Sequence, residues 1–272
     1  MLSVIVVHYK NPDALARCLA SLEMTIHETP YELIVVESMS TGTTEAMLAE
    51  RFPKARRISF EENTGYAKAV NAGIASAKGT YLLILNYDVI ASDGAVDALM
   101  RDFLVLERTR RAGMAGPRQT HRDGTFQPTA FRFYTPLTIV YRRTFLGALP
   151  MGRRALGRFF LDDKNIERAA APMPVDWLMG SVLLVSRKAV EAVGGMDERF
   201  FMYFEDVDWA RRFWENGLGV FYVPGAHFEH AHGKGSGKKG IADALFRPLA
   251  RAHIKSGLLY FLKYRFRTTH YV

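Results

Sequence analysis

Cysteine is almost missing from this sequence. Cys18 is the one thiol in 272 residues, so no internal disulfide can form. A chain without disulfides suits a reducing compartment, and a cytoplasmic setting is expected. Long apolar runs are missing too. No uninterrupted apolar stretch reaches the roughly 18 residues that a membrane-spanning helix needs. The N-terminus, MLSVIVVHYK, has no basic residue ahead of its apolar run, and that run stops at His8. It does not have the form of a secretory leader. No GxxxxGK[ST] occurs, which removes the usual P-loop ATPases. The turn at Asn63-Thr64-Gly65 is not GxGxxG, which disfavours a dinucleotide fold there.

Acids are scarce at one end. From Lys234 onward there are nine Lys and Arg but a single acid, Asp243, while the rest of the chain holds 27 of each sign. The whole net charge of +8 therefore sits in 234–272. Leu245, Phe246, Leu249, Ile254, Leu258, Leu259, Phe261 and Leu262 lie among those basic residues. Two readings follow: an interfacial helix on an anionic membrane surface, or a helix packed on the body with a solvated basic face. The neutral body argues against a broad phosphate-binding face, so no nucleic acid partner is expected. We divide the chain into one domain over 1–233 (halves 1–116 and 117–233) and a basic amphipathic extension over 234–272.

With 49% hydrophobic and 24% charged residues, the composition is that of an ordinary globular domain. Leu2 to Tyr9 is a short β-branched and aliphatic run, as a buried strand would be. Asn11-Pro12 then reads as a helix cap and first turn, and Leu15, Cys18, Leu19 and Leu22 repeat on one helical face. YELIVVE (31–37) is a second strand, followed by a helix over about 43–51 and a short strand near 56–60. An Ala-rich helix over 66–78 ends at Gly79, and YLLIL (81–85) is another strand. Near-continuous apolar strands alternating with helices predict an α/β fold with a mostly parallel sheet covered on both faces. In such sheets the ligand lies beyond the carboxyl ends of the strands. His8, Tyr9, Glu37, Ser38, Asn86 and Asp88 occupy those ends. The segment 118–174 is irregular and rich in Arg and aromatics. Beyond it, 176–186 reads as one strand, 187–193 and 204–216 as helices, and 219–223 as a strand.

Three constellations could carry chemistry. Asp88, at a strand end, could hold a divalent cation against phosphates, or could be a plain loop carboxylate. Glu205-Asp206-Val207-Asp208 opens a helix, where acids are favoured by the macrodipole anyway. The preceding FFMYF would partly desolvate these carboxylates and raise their proton affinity toward that of a general base. His227, His230 and His232 form a third cluster. No spaced partner supports a three-histidine zinc site, and one histidine joining Asp88 on a metal fits better. The backbone amides at Asn63-Thr64-Gly65 could face an anion.

Several stretches together resemble family 2 of the glycosyltransferases, and within it the rhamnosyltransferase-like branch of bacterial polysaccharide synthesis. They are SVIVVHYKNPDALARCLASL, ELIVVESMS, ENTGYAKAVNAGI, LLILNYD, GPRQTHRDGT, VDWLMGSVLLVSRKAVEAVGGMDERFFMYFEDVDWARR and VPGAHFEHAHGKGS. The resemblance implies a GT-A fold, a nucleotide-sugar donor and a divalent metal, Mg or Mn. It places Glu37 on the nucleoside, and Asn63, Gly65, Ala69 and Asn71 in the donor-side motif. Asp88 matches the metal carboxylate, and Asp176, Trp177 and Gly180 the segment lining donor and acceptor sugars. Asp206 matches the catalytic base, second acid of the pair with Glu205, and His230 the histidine that reaches the metal or diphosphate.

Three departures stand out. Asn86-Tyr87-Asp88 replaces the branch's Asn-Pro-Asp, Glu37-Ser38 replaces Asp-Asn, and the Gly/Ser loop after His230 is shifted, leaving His232 and Ser236 without assigned roles. The implied reaction is an inverting transfer from a nucleotide diphosphate sugar (dTDP-rhamnose first, then UDP- or GDP-sugars) to a glycan or polyprenyl-diphosphate-linked acceptor. That acceptor would place the enzyme on the inner face of the cell membrane. The competing readings are a sugar nucleotidyltransferase, whose Gly-rich basic loop would stand where YKNPDALARC does, and a glycosyltransferase that binds without transferring.

Overall fold

The computed structural model describes residues 1–40, 42–231 and 248–272. The first half follows the expected alternation. Strand β1 (Leu2–His8) leads to α1 (Pro12–Thr25), whose Asn11 side chain caps the Ala14 amide. Next come β2 (Tyr31–Glu37), α2 (Gly42–Arg51), β3 (Arg56–Ser59), α3 (Tyr66–Ser76) and β4 (Tyr81–Asn86). A short β5 (Val89–Ala91) and the long α4 (Ala95–Arg110) end this half.

The second half holds β6 (Ala112–Thr120), β7 (Phe126–Gln127), β8 (Ala130–Phe131), α5 (Pro136–Arg143) and α6 (Pro150–Phe159). It continues through β9 (Met173–Pro174), β10 (Trp177–Leu178), β11 (Val182–Ser186), α7 (Arg187–Val193), α8 (Glu205–Glu215) and β12 (Gly219–His230). The last helix, α9, spans Pro248–Lys263.

The main sheet runs in the order β3-β2-β1-β4-β11-β6-β12-β5. Pairing is parallel from β3 to β4 and between β6 and β12, while β11 lies antiparallel to both β4 and β6. Alternation along the strands sorts the core into two layers. Ile5 and Val7 pack with residues of α3, α7, α8 and α9 on one face. Leu2, Val4 and Val6 pack with α1, α2 and α4 on the other. Cys18 lies in that second layer, and burial pushes its thiol up to about 12, so it stays protonated and inert.

Three expectations are corrected. The segment 176–186 is not one strand: it breaks at Met179-Gly180-Ser181, and β10 leaves the main sheet to pair with β8. The irregular stretch 118–174 contains two helices, α5 and α6, that its mixed Arg/aromatic pattern concealed. The strand expected over 219–223 also continues to His230.

The described part of the C-terminal extension packs on the body. Tyr260 and Phe261 are buried, Lys263 pairs with Asp197 and Asp208, and the Tyr264 hydroxyl donates to Asp208. Leu245, Phe246, His232 and Ser236 fall outside the described residues. No described helix is long and apolar enough to cross a membrane.

Asp176 clasps the chain's end. Its fully buried carboxylate accepts the Phe133 and Tyr271 amides at 2.9 Å each and meets His270 Nδ1 at 2.9 Å. Tyr271 in turn stacks on Trp214, with centroids 5.2 Å apart. Removing the acceptor strands the buried Phe133 amide, which costs about 1–3 kcal/mol, and releases the part-buried Tyr271 amide and His270 ring. Asp176→Ala is therefore expected to lower unfolding stability by roughly 3 kcal/mol in urea titration. The tryptophan emission should change as the Tyr271–Trp214 stack loosens. An unchanged midpoint would show that the clasp is dispensable.

Candidate active site

Parallel register brings three strand ends to one level: His8 lies beside Glu37, and Val7 beside Asn86. His8 is fully buried, and its Nε2 accepts the Asn11 amide at 2.9 Å. The proton of the neutral ring is therefore on Nδ1, 3.8 Å from Glu37 Oε1. Burial lowers the His8 pKa against the opposing pull of Glu37. Glu37 is held from its other side by Arg57 Nε at 3.2 Å. Tyr9, next in the chain, is exposed.

The turn at 63–65 docks onto the end of β2. Asn63 Oδ1 accepts the Gly65 amide and the Ser38 hydroxyl, and the Thr64 amide donates to Ser38. Gly65 has φ +78°, and a Cβ there would collide with the Phe201 carbonyl oxygen. Only glycine allows this approach, which starts α3 against the loop that precedes α8.

Asp88 follows β4 and is placed by the β5–β12 pairing, in which His230 lies opposite Val89. His230 Nε2 is 3.3 Å from Asp88 Oδ1. The Gln127 side-chain amide meets His230 Nδ1 at 3.1 Å, behind the ring. Among the described residues, no group of three or more His, Cys, Asp or Glu side chains gathers as a self-sufficient metal cage. A carboxylate oxygen and an imidazole nitrogen do suit a cation that completes its shell with diphosphate oxygens and water.

On the other side stands Asp206, in the first turn of α8. Its Oδ2 accepts the Gly180 amide and its Oδ1 the Val207 amide, each at 2.9 Å. Burial pushes the Asp206 carboxyl up to about 6, although the two amide donors act to lower it. Glu205 is raised as well, by burial and by the Asp206 charge beside it. Tyr203 and Phe204, immediately before, both sit in the left-handed region at φ +69° and +68°. Bulky residues rarely occupy that region, and such strain concentrates at functional sites. Tyr66 links the two sides. Its hydroxyl donates to the Gly180 carbonyl, and its pKa is raised by burial and by Glu205, Asp206 and Asp88.

The family model for Glycosyl transferase family 2 matches residues 3–163. This chain belongs to Glycosyl transferase family 2. A second model, described as the N-terminal domain of galactosyltransferase, matches residues 163–234. The chain is 34% identical over 248 residues to an N-acetylglucosaminyl-diphospho-decaprenol L-rhamnosyltransferase of Mycobacterium tuberculosis, covering 86% of this chain and 78% of that protein. It is 25% identical to the dTDP-rhamnosyl transferase RfbF of Shigella flexneri, covering 91% and 75%. Among solved structures, the mannosyltransferase PcManGT of Pyrobaculum calidifontis superposes with a TM-score of 0.61 at 19% identity, covering 99% of this chain and 65% of that one. GalNAc-T7 gives the same TM-score at 15% identity, covering 85% and 43%. The fold is GT-A, and this family 2 glycosyltransferase is rhamnosyltransferase-like.

Several expected residues of the glycosyltransferase are not brought to the strand ends. Asp176 serves the clasp described above. Trp177 is buried in an aromatic stack with Phe131 and Tyr134, and its Nε1 donates to the Arg132 carbonyl, so no face is open to a sugar. Asn71 bonds Met196 through both its amide atoms and meets Glu198, holding the 195–198 loop. Asp208 is buried among Arg212, Lys263 and Tyr264 and anchors α9. His227 is bonded by Ser92 and Thr120. Sequence reasoning missed Tyr66, Gln127 and Arg57. Tyr66 was readable as the residue after the Asn-Thr-Gly turn, whereas Gln127 depends on a two-residue strand with no pattern of its own.

A raised carboxylate pKa has a defined stability signature. Between the ordinary aspartate value near 3.9 and about 6, the folded state binds more protons than the unfolded one. The Asp206 contribution is therefore fully present at low pH and is lost as pH rises through 6. Unfolding measured from pH 4 to 8 is expected to favour Asp206→Asn over the wild type increasingly up to about 6, then level off. A gap that does not move with pH would mean Asp206 ionises normally.

Proposed function

We propose that the protein is an inverting, metal-assisted transferase that moves rhamnose from a nucleotide diphosphate to a hydroxyl of a polyprenyl-diphosphate-linked glycan. The observation that carries the reading is Asp206. This carboxylate is fixed by two backbone amides at a helix start, and its proton affinity is raised to about 6. At neutral pH it is largely ionised yet still basic enough to take a proton.

Asp206 takes the proton of the acceptor hydroxyl. The oxygen attacks the anomeric carbon as the bond to the diphosphate oxygen breaks on the opposite face, and the nucleoside diphosphate leaves. A single displacement with one base inverts that carbon. Gly180 and Tyr66 keep the carboxylate aimed, because Gly180 donates its N–H to Asp206 and accepts the Tyr66 hydroxyl at its carbonyl. Asp88 and His230 are the residues that would hold Mg or Mn, whose charge would stabilise the departing diphosphate. Glu37, His8, Tyr9, Asn86, Asn63 and Gly65 are assigned to the nucleotide side. PcManGT and GalNAc-T7 were each solved with a nucleotide or nucleotide sugar and Mn, which supports a divalent ion in this reading. The mycobacterial relative's name supports rhamnose and a lipid-linked acceptor, and that of RfbF supports dTDP.

Thermal melts with dTDP, UDP, GDP and ADP, each with and without Mn, test the donor site, since a ligand of the native state raises the midpoint by mass action. A Mn-dependent rise with dTDP is expected, and Asp88→Asn should remove its Mn-dependent part. Asp206→Asn should lower kcat by about 10²–10⁴-fold with the nucleotide shift intact. Equal loss of both would take the base assignment away. No shift with any nucleotide would favour a protein that does not transfer. Product anomeric configuration, read by NMR, decides inversion.

A further inference from the structure

The clearest unassigned feature is a surface, not a cavity. It is built from two segments far apart in sequence. Residues 132–161 contain six arginines and no acid, and residues 248–272 contain five Lys or Arg and no acid. On the first segment, α5 and α6 and the turn between them leave Leu137, Phe145, Leu149 and Met151 in solvent, with Phe145 79% and Met151 73% exposed. Arg142, Arg143, Arg153, Arg154 and Arg158 are exposed among them. A monomer gains nothing by holding bulky apolar side chains out in water, and contiguous patches of this kind mark interaction sites.

The second segment adds a stripe. On α9, Ser256 faces the body, donating to the Met202 carbonyl, and Gly257 lies against Phe204 and Ile139 of α5. Ile254, Leu258 and Leu262 recur every four residues and are all more than half exposed. At about 100° per residue, that stripe lies beyond Gly257 on the side away from Ser256, next to α5. Arg251 and Lys255 flank it in solvent. Adjacency is independently marked at His253, whose pKa is lowered to about 4 by burial and by the charges of Arg143 and Arg142.

We propose that the outer faces of α5, α6 and α9 together form a docking surface for an anionic lipid bilayer. Apolar side chains enter the acyl boundary and the surrounding arginines and lysines meet headgroup phosphates. The charge selects the occupant. A protein partner would need a matching acidic face, whereas an anionic bilayer supplies negative charge on every side of the patch. Each basic residue near such a surface contributes about 1 kcal/mol. The surface borders the catalytic end of α8: Tyr134 packs against Phe204 and pairs with Arg142, and Phe204 directly precedes Glu205. A bilayer there would keep the membrane-anchored end of an acceptor beside the base, a consequence that rests on the proposed function, while the docking itself does not.

The test is co-sedimentation of the full chain with phosphatidylcholine vesicles, with and without phosphatidylglycerol, across a salt series. The variants are Phe145→Ser with Met151→Ser, Leu258→Ser with Leu262→Ser, and Arg153→Glu with Arg154→Glu. Retained nucleotide-induced melting shifts report that each is folded. Wild type is expected to bind the anionic vesicles only, less at high salt, and each double variant to lose binding about tenfold or more. Indifference of the wild type to phosphatidylglycerol, or variants that bind as it does, would overturn the proposal. So would a wild-type dimer, seen by light scattering, that the apolar variants dissolve without any vesicle binding; a second copy would then own the face. Transfer to a water-soluble acceptor is scored separately. It should survive in all three variants, and its absence from the wild type would count against the transferase reading alone.

Discussion

Two neighbouring carboxylates resist being buried together, and the second half of this protein is arranged around that difficulty. Glu205 and Asp206 lie side by side at the start of α8, where burial raises both proton affinities. The helix start offers aligned amides and the positive end of the dipole. One further amide comes from Gly180, at the corner where β10 ends and the main sheet resumes with β11. That corner in turn requires Tyr66, and Tyr66 requires Gly65 to pass under the Phe201 carbonyl. The left-handed pair Tyr203-Phe204 turns the chain sharply into the helix. The turn at 63–65, the sheet corner at Gly180 and the start of α8 are thus successive supports of one charge.

The basic residues of the C-terminal segment divide their work. Lys263 neutralises the buried Asp208 and also pairs with Asp197, so part of the positive charge is structural. Arg251 and Lys255 stay exposed on the outside of α9. A helix can do both because its two faces are chemically different, and composition counts over the whole segment merge them.

How much was legible follows from where the information sits. Strands β1, β2 and β4 were readable because complete burial on both faces writes a continuous apolar run. Their ends could be placed at the site for the same reason. Asp88, His230 and Asp206 come from positions that topology brings together, so a resemblance could name them while local pattern left their roles open. Asn71, Asp176 and Trp177 each stand in a matching stretch, and each also holds backbone or aromatic neighbours. Helices α5 and α6 were hidden because Leu137 and Met151 stand in solvent while Thr138 and Gly152 are buried, which blurs the apolar-in, polar-out contrast that periodicity depends on.

One irregularity in β12 governs what meets Asp88. Between Val223 and His227 the pairing with β6 slips: β12 advances four residues while β6 advances one, from Pro117 to Arg118. The surplus is odd, so the in–out alternation beyond it is inverted relative to the first part of β12. His230 therefore turns inward beside Asp88, and Glu229 turns toward Arg122 at the surface. Parity, more than residue identity, is what Pro224, Gly225 and Ala226 contribute. Replacements there can be absorbed, whereas gain of a single residue would bring Glu229 to the place of His230 and set a second carboxylate against Asp88.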